Sequence, residues 1–155
     1  MKWSDLKYLI AYSAPLATLW GLYEQGHWSC AGIYVGFVFI PLVELISPAS
    51  ARNLSPQEEA QKLNMWFFDL LLYLNIPLLY TILHVYFQQV FAGNSATYEL
   101  IGMTCSVGLI VGTIGINVAH ELGHRSKRSE QTMAKILLLS GLYMHFFIEH
   151  NRGHH

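Results

Sequence analysis

The stretch from Leu70 to Tyr98, LLLYLNIPLLYTILHVYFQQVFAGNSATY, runs for twenty-nine residues without an Asp, Glu, Lys or Arg. A bilayer core of about 30 Å is crossed by roughly 20 consecutive, predominantly apolar helical residues, so this run is long enough to span. Similar runs lie to either side. Lys7 and Glu24 enclose sixteen uncharged residues, Glu24 and Glu44 enclose nineteen, and Glu99 and Glu121 bracket another. The pattern predicts an all-α integral membrane helical bundle with four transmembrane helices, near residues 7–26, 28–46, 66–91 and 99–119. The first is the least regular, since it contains Ser13, Pro15 and Thr18. Lipid-embedded helices tolerate such residues where neighbouring helices satisfy the backbone. No Ala-x-Ala site closes that stretch and further spans follow it, which argues against a cleavable signal peptide.

Composition agrees. The 155 residues are 53% hydrophobic and 12% charged, against about 25% charged in an ordinary soluble domain. Aromatic residues reach 14%, which excludes a disordered chain. Nine Lys and Arg against ten Asp and Glu leave no basic excess for nucleic acid. Cys30 and Cys105 are too few for a disulfide framework and read as buried thiols. The few basic residues set an orientation. Lys2 and Lys7 precede the first span, Arg52 and Lys62 lie between the second and third, and Arg125, Lys127 and Arg128 follow the fourth. The other two connections carry no Lys or Arg, so the positive-inside rule places the N-terminus and the segment after His120 in the cytoplasm. Trp3, Trp20, Trp28 and Trp66 fall near span ends, where an interfacial aromatic belt puts them. Between spans two and three, Ser47 to Lys62 reads as a loop in which Ser55-Pro56 starts a helix.

Five of eight histidines fall in two short boxes, His120-Glu121-Leu122-Gly123-His124 and Glu149-His150-Asn151-Arg152-Gly153-His154-His155. On a helix, residues four apart project from one face, so His120 pairs with His124 and His150 with His154, while His155 is a further donor. A nitrogen-rich set of this kind suits iron, zinc or copper rather than calcium or magnesium. The first box alone also matches the H-E-x-x-H of a membrane-embedded zinc metalloprotease. A single catalytic zinc takes three protein ligands and an open position, so the surplus histidines favour two metals. The carboxylate-rich di-iron bundle pattern fails, because Arg152 stands three places after Glu149 where a histidine is needed. The apolar stretch 136–148 is too short to span. If it did cross, the boxes would stand about 30 Å apart, so a non-spanning or re-entrant helix near 133–149 is expected.

From Asn117 through His124-Arg125, past Met133-Ala134-Lys135, to His145-Phe146-Phe147-Ile148-Glu149-His150 and His154-His155, the chain resembles the membrane-bound alkane 1-monooxygenases. These are integral-membrane di-iron enzymes of the fatty-acid desaturase and hydroxylase superfamily. The resemblance implies a multi-pass protein of the bacterial inner membrane with cytoplasmic histidine boxes. It implies two non-haem iron ions held by His120, His124, His150, His154 and His155, with O2 as co-substrate. It further implies rubredoxin and rubredoxin reductase as electron donors, and a medium-chain alkane hydroxylated at its terminal C–H bond to a primary alcohol. Desaturation and aryl-methyl hydroxylation remain alternatives on the same scaffold. In that family a third histidine cluster follows further spans; the chain here ends at His155, resembles an N-terminal part, and is expected to be inactive alone.

Weaker expectations attach to other residues. Asn117, Glu121 and Glu149 are candidates for orienting an imidazole or adding a ligand. His145, among Met144, Phe146 and Phe147, reads as a buried packing residue, and His84 and His27 are left outside the site. Arg125-Ser126-Lys127-Arg128 reads as a topogenic, headgroup-binding segment, with docking of an acidic electron carrier as the sharper alternative.

Overall fold

The computed structural model describes residues 3–47 and 65–153, and every regular element within them is helical. Among the described residues three helices are long and apolar enough to cross a membrane: α2 (Gly26–Ile46), α3 (Trp66–Ala92) and α4 (Thr97–Gly123). Ahead of them, a 3-10 segment Trp3–Tyr12 runs into α1 (Ser13–Glu24), and α5 (Arg128–Ser140) and α6 (His145–Gly153) follow. The helix start expected at Ser55 lies outside the described residues.

The first stretch thus departs from a regular spanning helix, since its N-terminal half is wound as 3-10 and only its second half as α. It nevertheless travels the length of α3. Tyr8 packs edge-on against Phe68, and the Tyr12 hydroxyl donates to the Leu71 carbonyl. At the far end, Gln25 Nε2 donates to Gln89 Oε1 at 2.7 Å. The interval from Phe68 to Gln89 corresponds to about 30 Å of helix. A 3-10 turn rises about 2.0 Å per residue against 1.5 Å, so the mixed winding lets a short sequence keep pace with α3.

Close approach at the Gln25 end depends on small residues. A β-carbon at Gly21 would stand 2.1 Å from the Trp28 carbonyl oxygen, one at Gly32 2.1 Å from Thr18 Oγ1, and one at Gly102 2.5 Å from Ser29 Oγ. Association inside a bilayer gains little from the hydrophobic effect, so packing and interhelical hydrogen bonds carry it. Ser106 Oγ accordingly donates to the Ser29 carbonyl at 3.0 Å. The turns at this end are tied by one carboxylate, because Glu99 accepts from the Gly26 N–H at 2.7 Å and the Ala96 N–H at 2.6 Å. Trp20 and Trp28 sit together there, with ring centroids 4.8 Å apart, and Trp66 marks the opposite end of α3.

Helix α5 enters the bundle from the end where α4 finishes. The Tyr73 hydroxyl meets Glu130 near its start, the Tyr80 hydroxyl donates to the Ile136 carbonyl at 2.7 Å, and Gly115 receives Ser140 and Leu137. Ala134, Leu137 and Leu138 are buried in a core with Leu79 and Ile82 of α3 and Met103, Ile110 and Ile114 of α4. At its tip Gly141 lies against Val111, near the middle of α4. The chain then reverses in a tight C-cap. The Tyr143 N–H donates to the Leu138 carbonyl and the Leu142 N–H to the Leu139 carbonyl, with Leu142 left-handed at φ 54°. This pair of bonds is the Schellman arrangement, which places glycine at that position by preference. Helix α6 returns toward the end of α4. The segment between the histidine boxes is therefore a helical hairpin folded against α3 and α4.

Candidate metal centre and apolar cavity

The first histidine box closes α4. The His124 N–H donates to the His120 carbonyl at 3.3 Å, so the last turn is helical and sets both imidazoles on one side. Their ring centroids are 4.6 Å apart with planes at 50°. Both side chains are exposed at the helix end. From α6, Phe146 approaches His120 edge-on at 6.0 Å, and Phe147 packs over Gly123 under the Lys135 ammonium, which lies 4.7 Å from its ring. The backbone of α6 carries His150 one turn beyond these phenylalanines. The side chain of His150, and His154 and His155 altogether, lie outside what is described. Among the described residues no three metal-ligating side chains converge.

The other candidates separate. Asn117 is exposed within a π-helical segment of α4, Val111–Val118. Glu121 is exposed and stands 3.8 Å from the Arg125 guanidinium, and Glu149 is exposed on α6. His145 is not the buried packing residue its neighbours suggest. It is exposed at the start of α6 with its ring 4.5 Å from Tyr143, because α6 turns its other face to α4. Likewise Cys105 is exposed and Cys30 half-buried, rather than both buried.

Arg125 is committed inside the protein and is not a free docking cation. Its guanidinium donates to Asp69 of α3 at 2.5 Å and to Glu130 of α5 at 3.0 Å. Glu130 is 2% exposed and also accepts from the Tyr73 hydroxyl at 2.5 Å. Gln131 Nε2 donates to the Arg125 carbonyl at 3.0 Å. Burial raises the Glu130 carboxyl, but the hydrogen bonds from Tyr73 and Arg125 outweigh it and hold the group below the usual carboxylate range. For Arg125, burial opposes the charge and the bonds to Asp69 and Glu130 outweigh it, so the guanidinium stays firmly ionised. Asp69, Glu130 and Tyr73 are not picked out by the sequence. Their residue types carry no motif, and only the packing of α5 on α3 brings them to Arg125.

A cavity of about 800 Å³ opens beside α4 and ends at Glu121 and Arg125, each next in sequence to a histidine of the first box. Its wall includes Gly36 and Phe37 from a π-helical segment of α2, and Thr113, Ile114 and Val118 from that of α4. Widened π turns recur at functional sites, and here two of them flank one space. Polar side chains on the wall are turned to backbone. Asn75 Nδ2 donates to the Leu71 carbonyl at 2.8 Å, and Thr113 Oγ1 to the Leu109 carbonyl at 2.9 Å. The Tyr12 hydroxyl also donates to the Leu71 carbonyl. The surface left to an occupant is apolar away from the charged end.

These features define an all-α membrane protein with a paired imidazole at the end of one helix, a helical hairpin against it and an apolar cavity alongside. No protein-family model matches the chain. The chain is similar to alkane 1-monooxygenases and matches their N-terminal part. It is 33% identical over 150 residues to the alkane 1-monooxygenase of Pseudomonas putida, with 92% of this chain and 36% of that protein covered. With alkane 1-monooxygenase 1 of Alcanivorax borkumensis it shares 34% identity over 149 residues, covering 91% of this chain and 36% of the relative. The chain therefore spans little more than a third of the length of the curated relatives it matches.

Proposed function

We propose that this chain contributes the first two histidine boxes and the substrate cavity of a non-haem di-iron monooxygenase. The reaction is insertion of one oxygen atom of O2 into the terminal C–H bond of an alkane, giving a primary alcohol. The observation that carries this reading is the convergence of the His120–His124 pair, the returning α6 and the end of the apolar cavity. The donors fit the metal, since closely spaced neutral imidazoles are borderline-soft ligands suited to iron. His120 and His124 would hold it together with His150, His154 and His155. Bound there, the iron pair would supply O2 reduction and attack on an unactivated C–H bond, chemistry that no side chain can perform.

The chain's own residues do the rest. Ile114, Val118 and Phe37 line a slot that excludes water and accepts a hydrocarbon without leaving a polar group unpaired. Because Asn75 Nδ2 and Thr113 Oγ1 donate to carbonyls of their own helices, the slot offers an alkyl chain few polar donors to discriminate along it. Orientation then comes from its shape, and the terminal methyl is delivered toward the Glu121–Arg125 end.

Four crossings are the reading that this arrangement supports, with Trp3–Glu24 running alongside α3 and Lys7, Arg125, Lys127 and Arg128 at the histidine end. That end is assigned to the cytoplasm of a bacterial inner membrane, where rubredoxin and its reductase deliver electrons. Within the Arg125–Arg128 segment, the exposed Lys127, whose ammonium also lies 3.8 Å from Glu130, and the exposed Arg128 are the cations available to such a carrier.

The test is metal analysis of the anaerobically purified full-length protein, followed by octane, O2, rubredoxin and reductase. Bound iron and O2-dependent 1-octanol support the proposal. Zinc in place of iron, with cleavage of a membrane peptide, would replace it with the H-E-x-x-H protease. An alkene or an aryl-methyl alcohol as the preferred product would move it to a sister activity on the same scaffold.

A further inference from the structure

We infer that Tyr73 and Glu130 are positioning residues which, through Arg125, set the distance between the two histidine boxes. This rests on the reading of both boxes as one metal centre. The boxes are joined by α5, a turn and α6, and a hairpin of this kind is placed by whatever fixes α5 along the bundle axis. Its apolar contacts, Leu137 and Leu138 against α3 and α4, are not directional, and toward the tip the Tyr80 hydroxyl on the Ile136 carbonyl and the close fit of Gly115 to Ser140 add lighter restraints. The polar cluster at its start is directional. Glu130 is buried and accepts simultaneously from the Tyr73 hydroxyl of α3 and from Arg125, which follows His124. Arg125 in turn grips Asp69 of α3, and Gln131 of α5 returns a bond to the Arg125 carbonyl. Three helices are thereby locked at one height by directional bonds, and any slip of α5 would strand a buried carboxylate. The far end of the same hairpin carries Phe146 and Phe147 onto His120 and Gly123. Register set at Glu130 is therefore transmitted to the second box.

The experiment uses the full-length protein with Cys30 and Cys105 replaced and spin labels at Ser126 and Ile148, both exposed. Inter-label distance distributions are recorded on metal-free samples of the parent, Tyr73→Phe, Glu130→Gln and Glu130→Asp. The expected result is a broadened or shifted distribution in Tyr73→Phe and Glu130→Gln and partial recovery in Glu130→Asp. When iron is added, the first two variants should hold at most half the parent's iron per chain while eluting as folded protein. If Glu130→Gln does not fold, Tyr73→Phe, which loses a single hydroxyl, decides alone. Distance distributions and iron content that match the parent in Tyr73→Phe would overturn the inference, even with a lowered melting temperature. A parent that binds no iron sinks the di-iron reading instead, and the metal-free distances still judge the clamp.

Discussion

The two ends of the bundle are held together by opposite means. At the Gln25–Glu99 end the helices touch through glycine and serine, with backbone against backbone and one carboxylate tying the turns. At the Asp69–Arg125 end they are held apart by long ionised side chains, and the space left between them is the cavity. Where no activity is needed, close packing of small residues gives the strongest association available in lipid. Where an apolar guest and metal ligands must be admitted, charged struts keep helices apart without leaving polar groups unpaired. The paired imidazoles of His120 and His124 lie at the second end, whereas His27 stands by Tyr98 at the first.

The sharpest way to break this contrast is to compare histidines at the two ends. His124→Ala in the full-length enzyme should lower alkane hydroxylation by more than about 100-fold, since even groups that merely support a metal ligand are worth 10–100-fold. His27→Ala, at the packed end beside Tyr98, should leave activity and iron content within about twofold of the parent. Equal losses from the two would remove the assignment of the metal to one end.

Next in size are the glycines. Gly21→Ala drives a methyl group onto the Trp28 carbonyl, which is backbone and cannot step aside, and should destabilise by about 3 kcal/mol. Gly108→Ala on α4 meets open space and should be neutral or stabilising by about 0.5–1 kcal/mol. Unfolding in detergent micelles, followed by circular dichroism, measures both. A Gly21 variant as stable as the Gly108 variant would mean that the packed end is not tight.

A smaller effect belongs to the strutted end. Glu130 titrates lower in the fold than in the unfolded chain, so its contribution is fully present above the unfolded value, about 4.3. That contribution is lost as pH falls through the lower folded value. Tyr73, Arg125 and Lys127 face it, with Asp69 beyond Arg125. The stability gap between the parent and Glu130→Gln should therefore be widest near neutrality and narrow below pH about 4. A gap independent of pH would show that the carboxylate acts by shape alone.

Smallest is the hairpin tip. Leu142 holds a left-handed backbone at φ 54° while its side chain is 84% exposed. Leu142→Gly removes a cost of about 1–2 kcal/mol and gives back part of it as unfolded-state entropy. The melting temperature should rise slightly, and a fall would mean that the leucine packs against something beyond this chain.

Much of the architecture was legible because charge is so scarce. An uncharged run from Leu70 to Tyr98 has few fates outside a membrane, and the four-residue histidine spacing has one geometric consequence on a helix. The mixed 3-10 and α winding of Trp3–Glu24 was not legible, since which hydrogen bonds a polar, proline-containing stretch adopts depends on the helix beside it. Nor were the two π-helical segments, because their extra residue leaves no compositional mark. The Arg125 basic cluster was misjudged for a related reason. A cation's sequence neighbours are solvent-side residues, while its true partners, Asp69 and Glu130, arrive from other helices.

Local chemistry thus carried what depends on residue type and short spacing: the apolar helices α2 to α4 and the setting of His120 and His124 on one side of a helix end. Long-range packing decided what depends on the height and rotation of one helix against another. The position of α5, the pairing of Arg125 and the course of the cavity all belong to that second group. The reason is physical. Apolar helix surfaces in lipid are nearly interchangeable along their length, so register is set by a few close small-residue contacts and directional polar bonds whose partners lie far apart in the chain.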